Sequence, residues 1–403
     1  MAMGRANPSK AAGATVPGIG AGMTILEYGF RPFFLLAGIW AAAVIIVWGS
    51  ALAGFAPLEP GPGLLFWHSH EMLFGFAAAA MSGFLLTAVP SWTGGQPIQG
   101  WRLGCFVAFW LAGRIGIAAA PWLGMVVAAI LDLAFLTLMA LYLFNEIRRS
   151  GNWRNLPVAV LITLFAASNW LVHWQALGGD APVVDGHRLA VLTLALLLAL
   201  IGGRIVPSFT FNWLRRNGIE TSPAKVGLID KLAIGLLILT VVAVISAPQS
   251  PLTGALAVLT AVLHLARLLR WRGWQTLREP LVWVLHLGYL WLVAGLLLLG
   301  AAGLGGLVPE NAALHALTMG AFGTMISAVM TRASLGHTGR ALHAGPGTLA
   351  IYILVTLAAA ARVSAPFLEE QAASMLGFAA LCWAGGFGLF SVLYFRVLTG
   401  PRR

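Results

Sequence analysis

Charge is what this sequence has least of. Of its 403 residues only 9% are Asp, Glu, Lys or Arg, while 59% are hydrophobic and the mean hydropathy is +0.87. A soluble domain carries about 25% charged residues, so the composition excludes a water-soluble globular protein and implies an all-α polytopic membrane protein. Cysteine is almost absent: Cys105 and Cys382 both fall in apolar runs, with no CxxC and no CxxCH pattern. That excludes a disulfide framework and covalently attached heme. Acidic residues number 13 against 24 Lys and Arg, for a net charge of +11. Those cations sit in short segments between apolar runs, as the positive-inside rule expects, so the bilayer and not nucleic acid is the expected partner. Residues 1–23 are rich in Gly, Ala and Pro and have no continuous apolar core. They read as a flexible N-terminal tail rather than a cleaved signal peptide, ahead of a single transmembrane domain over 24–403.

A span needs about 20 apolar residues. Twelve runs qualify: 31–54, 65–89, 101–119, 121–144, 155–177, 187–207, 226–246, 251–271, 281–301, 311–332, 346–366 and 371–397. The third and fourth are parted only by Ala120-Pro121, a tight hairpin. Positive charge alternates with the runs. Arg5, Lys10, Arg102, Arg148, Arg149, Arg154, Arg215, Arg216, Lys225, Arg270, Arg272, Arg278, Arg340, Arg402 and Arg403 fall on one side. The other side carries Arg188 and Arg362 beside Glu59, Asp180, Asp185, Glu310, Glu369 and Glu370. The expected orientation has both termini in the cytoplasm.

Ionisable groups inside a membrane are costly and point to function. They concentrate at Trp67-His68-Ser69-His70-Glu71-Met72-Leu73-Phe74-Gly75, at the mouth of the second run. His68 and His70 point roughly 200° apart on a continuous helix, so one metal cannot take both; His70, the deeper, is the expected ligand. His173, His187 and His315 lie at similar depth in the outer half. Neutral imidazole ligates copper, zinc and heme iron, so these five are candidates for a shared metal or heme site. The bland alternative for each is a hydrogen bond to a neighbouring helix. His264 and His286 lie roughly 12 Å inside the inner ends of consecutive helices. They could hold a bis-imidazole heme, pair with other helices, or, for His264, snorkel toward Arg267, Arg270 and Arg272. Glu71 and mid-helix Asp132 are candidates for proton relay or for orienting a ligating histidine, with Arg114 as a partner. Arg204 and Arg332 either snorkel and cap carbonyls or hold heme propionates. Met81, Met319, Met325 and Met330 read as packing.

Helices two, six and ten each begin with a histidine: His70, His187 and His315. Pro90 and Pro207, and Thr93, Thr210 and Thr338, recur at fixed distances behind them, and Gly75 and Gly320 follow two of them. This suggests a pseudo-repeat of three units of four helices, over 24–145, 146–272 and 273–403. Equal helix lengths alone could produce such matches.

The chain resembles the NnrS family of bacterial membrane proteins. The resemblance rests on Phe30-Arg31-Pro32-Phe33-Phe34; on the Trp67–Gly75 stretch with Gly83-Phe84-Leu85-Leu86-Thr87-Ala88-Val89-Pro90 and Trp92-Thr93-Gly94; on Gly202-Gly203-Arg204 with Pro207-Ser208-Phe209-Thr210; on His286-Leu287-Gly288-Tyr289; and on His315-Ala316-Leu317-Thr318 with Met330-Thr331-Arg332-Ala333-Ser334-Leu335-Gly336-His337-Thr338-Gly339-Arg340. It implies an inner-membrane protein with heme b and copper or another transition metal, tied to nitric oxide and nitrosative stress. Twelve helices with a possible three-by-four repeat also resemble the core subunit of heme–copper oxidases and nitric oxide reductases, by architecture alone. The expected activity is an oxidoreductase of nitric oxide reductase type, fed by quinol or another donor. The alternative is a transporter or sensor of metal, heme or a small ligand, with a helix broken near Gly202-Gly203 and Pro207.

Overall fold

A bilayer core offers no water to backbone amides and carbonyls, so each apolar run must satisfy them internally as a helix. The computed structural model describes residues 24–55, 62–180, 184–221, 226–306 and 308–403. The expected tail, with Arg5 and Lys10, and the loop residues Glu59 and Lys225 lie outside the described residues. Among those described are twelve helices long and apolar enough to cross a membrane. They are α1 Phe30–Leu52, α2 Leu64–Thr93, α3 Gly100–Ala118, α4 Met125–Ser150, α5 Trp153–Ala176 and α6 Gly186–Arg216, followed by α7 Leu228–Ser246, α8 Pro251–Leu269, α9 Pro280–Gly303, α10 Glu310–His337, α11 Pro346–Phe367 and α12 Glu369–Thr399. The chain is a multi-pass membrane protein. A single helical turn, Ala120–Leu123, joins α3 to α4.

Several helices outrun their apolar cores. α4 continues to Ser150 and α6 to Arg216, because polar residues at the membrane edge extend a helix as readily as apolar ones. The expected break in α6 does not occur: the helix runs unbroken through Gly202, Gly203 and Pro207. Gly203 serves packing instead, since a Cβ there would fall 2.0 Å from the guanidinium of Arg267.

Neighbours in sequence pack together around the bundle, and α12 returns against α1 to close it. Inside lie α2, α6 and α10, which touch one another. Their apolar windows are the most buried of the twelve, at 78, 72 and 67%. These are the three helices that carry His70, His187 and His315. Both α2 and α10 switch to π-helix just after their histidines, over Glu71–Ala77 and Ala316–Gly323, while α6 stays regular. π segments turn side chains off the α-helical register and recur at functional sites.

Arg31 fixes where α12 ends. Buried in the first turn of α1, it donates through Nη1 to the carbonyls of Leu398 and Gly400, at 2.8 and 2.7 Å, and pairs with Glu27. Arg403 N bonds Thr338 O behind α10, and Asn152 donates to Trp92 O at the end of α2. These ends define one face of the bundle, which we call the C-terminal face; His68, His70, His173, His187 and His315 lie toward the opposite, far face.

Replacing Arg31 with Ala strands buried carbonyls at the end of α12 and should cost about 2 kcal/mol. Chemical denaturation in detergent measures this, and an unchanged unfolding midpoint would show that the cap contributes nothing.

Candidate functional site

Toward the far face, five helices contribute to a buried polar knot. Asp132 of α4 stands at its centre. His70 Nε2 and His173 Nε2 lie 3.1 and 2.9 Å from the same oxygen, Asp132 Oδ2, which also accepts from Asn169 Nδ2 at 2.7 Å. Arg114 of α3 donates to Asp132 Oδ1, and through Nη1 to Glu71 Oε2 at 2.7 Å. Trp40 of α1 donates to that Glu71 oxygen at 2.7 Å, and His70 Nδ1 meets Glu71 Oε1 at 3.1 Å. His70, Glu71, Arg114, Asp132, Asn169 and His173 are all buried.

Local sequence makes the knot possible. Gly75 leaves open the space through which Trp40 and Arg114 reach Glu71: a Cβ there would lie 2.5 Å from Trp40 Nε1 and 2.9 Å from Arg114 Nη1. Glu71 opens the π segment of α2, and Asn169 and His173 stand one helical turn apart on α5.

Counting protons constrains its charge. The guanidinium offsets one of the two carboxylates and leaves one negative charge. His70 meets a carboxylate oxygen at each ring nitrogen, yet a neutral imidazole donates from only one. The knot therefore balances with one extra proton, on His70 or on Glu71. A metal cation is the other way to balance it. His70, Asp132 and His173 each offer a ligand atom within 4.8 Å of the others, and ligands on a small tetrahedral ion stand about 3.4 Å apart. His173 Nδ1 and Asn169 Oδ1 are buried without a partner.

Beside the knot, the central helices enclose a cavity of about 560 Å³. His68, His187 and His315 line it, one from each of α2, α6 and α10. His68 Nδ1 and His187 Nε2 are buried without hydrogen-bond partners. His315 Nδ1 lies 2.7 Å from the carbonyl of Asn311; with Nδ1–H donated there, Nε2 keeps a free lone pair. His68 also stacks on Trp48, with centroids 4.3 Å apart. Phe66 packs face-on against His70 and edge-on against His187, at 5.5 and 5.9 Å, and so lies between knot and cavity. Arg188 and Glu310, joined at 2.8 Å, are among the lining residues.

The five far-face histidines thus divide: His70 and His173 join Glu71 and Asp132 in the knot, while His68, His187 and His315 face the cavity. The remaining candidates lie elsewhere. His264 has both nitrogens engaged, Nδ1 with Tyr289 OH at 2.7 Å and Nε2 with Ala233 O at 3.2 Å. Tyr289 OH accepts from Arg267, which also pairs with Asp230. His286 Nε2 bonds Thr210 at 2.8 Å and its Nδ1 has no partner. The two histidines have different partners and share none. Arg204 bonds Asn155 Oδ1 at 3.0 Å at the start of α5, and Arg332 lines a second cavity at the C-terminal face. Trp40 and Asn169 were not singled out from sequence. An asparagine in an apolar run, one turn before His173, was the available signal for the second.

A family model described as NnrS protein matches residues 24–402. The chain belongs to the NnrS family, which links this membrane protein to nitric oxide. No curated protein matches it.

Asp132→Ala should destabilise the protein by roughly 3–5 kcal/mol, because it leaves Arg114 and the remaining knot unbalanced. Adding Arg114→Leu should recover part of that loss. Denaturation of the single and double variants measures both, and strictly additive losses would contradict the pairing.

Proposed function

We propose that this NnrS-family chain binds heme in the far-face cavity and acts there on nitric oxide as an oxidoreductase. The observation that carries this reading is the convergence of His68, His187 and His315, from the three central helices, on one cavity. Its volume, about 560 Å³, falls within the range of about 300–1,000 Å³ typical of small-molecule sites. The donor set suits the group. Two ring nitrogens are buried and unpartnered, and His315 is oriented through its other nitrogen by a backbone carbonyl, the arrangement typical of ligating histidines. Bound there, heme iron would supply the coordination site and the electron that nitric oxide chemistry requires.

The chain's own groups supply the rest. Leu73, Phe76, Leu194, Phe322 and Trp383 make the cavity wall largely apolar, which admits a small neutral gas from the bilayer and disfavours water. The Arg188–Glu310 pair adds a polar edge. With a proton as the knot's balancing charge, one aromatic ring away from the cavity, Glu71 would act as a proton reserve and Asp132 would hold His70 and His173 in place. Electrons come from quinol or another donor. The positive residues of the C-terminal face support a cytoplasmic location for it, in a bacterial inner membrane.

A second metal, copper or another transition ion, is the alternative occupant of the knot, supported by the donor atoms of His70, Asp132 and His173 lying within 4.8 Å of one another. Two imidazoles and a carboxylate suit zinc, copper or iron. An exchangeable transporter or sensor role has less support, because α6 is unbroken.

Heme content of purified protein tests the assignment. His68→Ala, His187→Ala and His315→Ala should each lower the heme-to-protein ratio several-fold, and His264→Ala, whose nitrogens are both engaged, should not. Full heme in all three cavity variants would exclude the cavity. Metal analysis of Asp132→Asn and His173→Ala separates the two occupants of the knot: loss of a bound ion in both supports a metal, and an ion content unchanged from wild type supports the proton.

A further inference from the structure

The same three central helices enclose a second cavity, of about 500 Å³, at the C-terminal face. It takes no part in the reading above. Between the two cavities lies an apolar waist, where Phe34, Met81, Phe84, Phe322 and Met325 surround a void of only about 70 Å³. The walls come from sequence stretches that the far-face site leaves unused: Phe30 of α1, Phe84 and Thr87 of α2, Phe209 of α6, and Arg332 and His337 of α10. The polarity is graded. Phe34 and Phe84 lie toward the waist, while Phe30 at the start of α1, Asn212, Trp213 and Arg216 at the end of α6 and Glu279 at the start of α9 lie at the membrane edge.

Arg332 is the cation of this cavity's inner wall. Arg31, Arg114, Arg204 and Arg267 each donate to protein acceptors. The Arg332 guanidinium sits 4.3 Å above the Phe209 ring and makes no hydrogen bond or ion pair with any described residue. Half-buried in the cavity wall against that ring, the guanidinium keeps its donors free for water or for an anionic ligand. The acid that lines the cavity, Glu279, accepts from the Leu281 backbone amide at 3.2 Å. Arg216 and Arg332 against Glu279 leave the cavity with a net charge of +1, counted from its lining residues.

We propose that this cavity binds an amphiphile, with a carboxylate or phosphate head on Arg332 and an apolar body on Phe30, Phe84 and Phe209. A planar guanidinium matches both heads with two parallel hydrogen bonds. The proposal stands on this cavity alone and is independent of heme and nitric oxide at the far face.

Trp213 provides the readout. Full-length protein in neutral detergent is offered dibromostearate, its uncharged methyl ester, and phosphatidylglycerol with dibrominated chains. Bromine quenches nearby indoles, and the part of the signal absent from Trp213→Phe reports this cavity. The two anionic probes should quench Trp213, and the ester should bind about tenfold or more weakly, as loss of a charge-assisted contact implies. Arg332→Gln should weaken the anions to the level of the ester, Arg332→Lys should restore part of the affinity, and Arg204→Gln should leave it unchanged. Competition by unlabelled oleate then separates the sources: displacement of the phospholipid identifies a single-chain carboxylate as the better occupant, and its retention identifies a bilayer phospholipid. Equal binding of acid and ester by the wild type overturns the proposal without recourse to any variant. So does quenching that is unaffected by Trp213→Phe.

Discussion

Arg114 holds Glu71 with one nitrogen and Asp132 with another, in a region where no water can replace either contact. The far half of the bundle is arranged around that constraint. Gly75 is open because the guanidinium and Trp40 must pass it, and His70 lies between two carboxylates because both are anchored. A second buried cation obeys the same rule: Arg267 joins Asp230, Tyr289 and the Ala199 carbonyl, and through Tyr289 it engages His264. The Arg267 network satisfies its charges internally and stabilises an arrangement without asking for a ligand, whereas the knot balances only with a further proton or a metal cation.

The groups left out of such networks carry the functional argument. His68 and His187 have buried, unpartnered nitrogens, and Arg332 has unused donors. These three side chains face cavities, one each from α2, α6 and α10. The central helices therefore do two things. With Phe34 of α1 they form an apolar waist of phenylalanine and methionine, and their ends enclose two chemically different spaces. One is lined by imidazoles, the other by a guanidinium and aromatic rings.

Much of this was legible in the sequence, for identifiable reasons. Twelve apolar runs gave twelve helices because the bilayer leaves a buried backbone few alternatives. Histidines at matching depth met across the far face because depth along a helix survives packing. Arg114 could be assigned to one of Glu71 and Asp132 because intramembrane charges must find each other; that it holds both is seen only in the structure. Rotation about each helix axis was harder to read. The count of residues per turn separated His68 from His70, but nothing in the sequence marked the π segments after His70 and His315 or the division of the five histidines between knot and cavity. Gly202, Gly203 and Pro207 suggested a break, whereas the glycine makes room for Arg267 from another helix, a contact set by tertiary packing alone. Asn169 and Trp40 reached the site for the same reason.

The most direct measurement is the optical spectrum of the purified, heme-loaded protein, reduced without oxygen and then given nitric oxide. The account predicts a Soret band that shifts on addition and decays back as reductant is consumed, with nitric oxide lost from solution in proportion. A heme spectrum indifferent to nitric oxide, or a protein that holds no heme after expression with heme in excess, would contradict it.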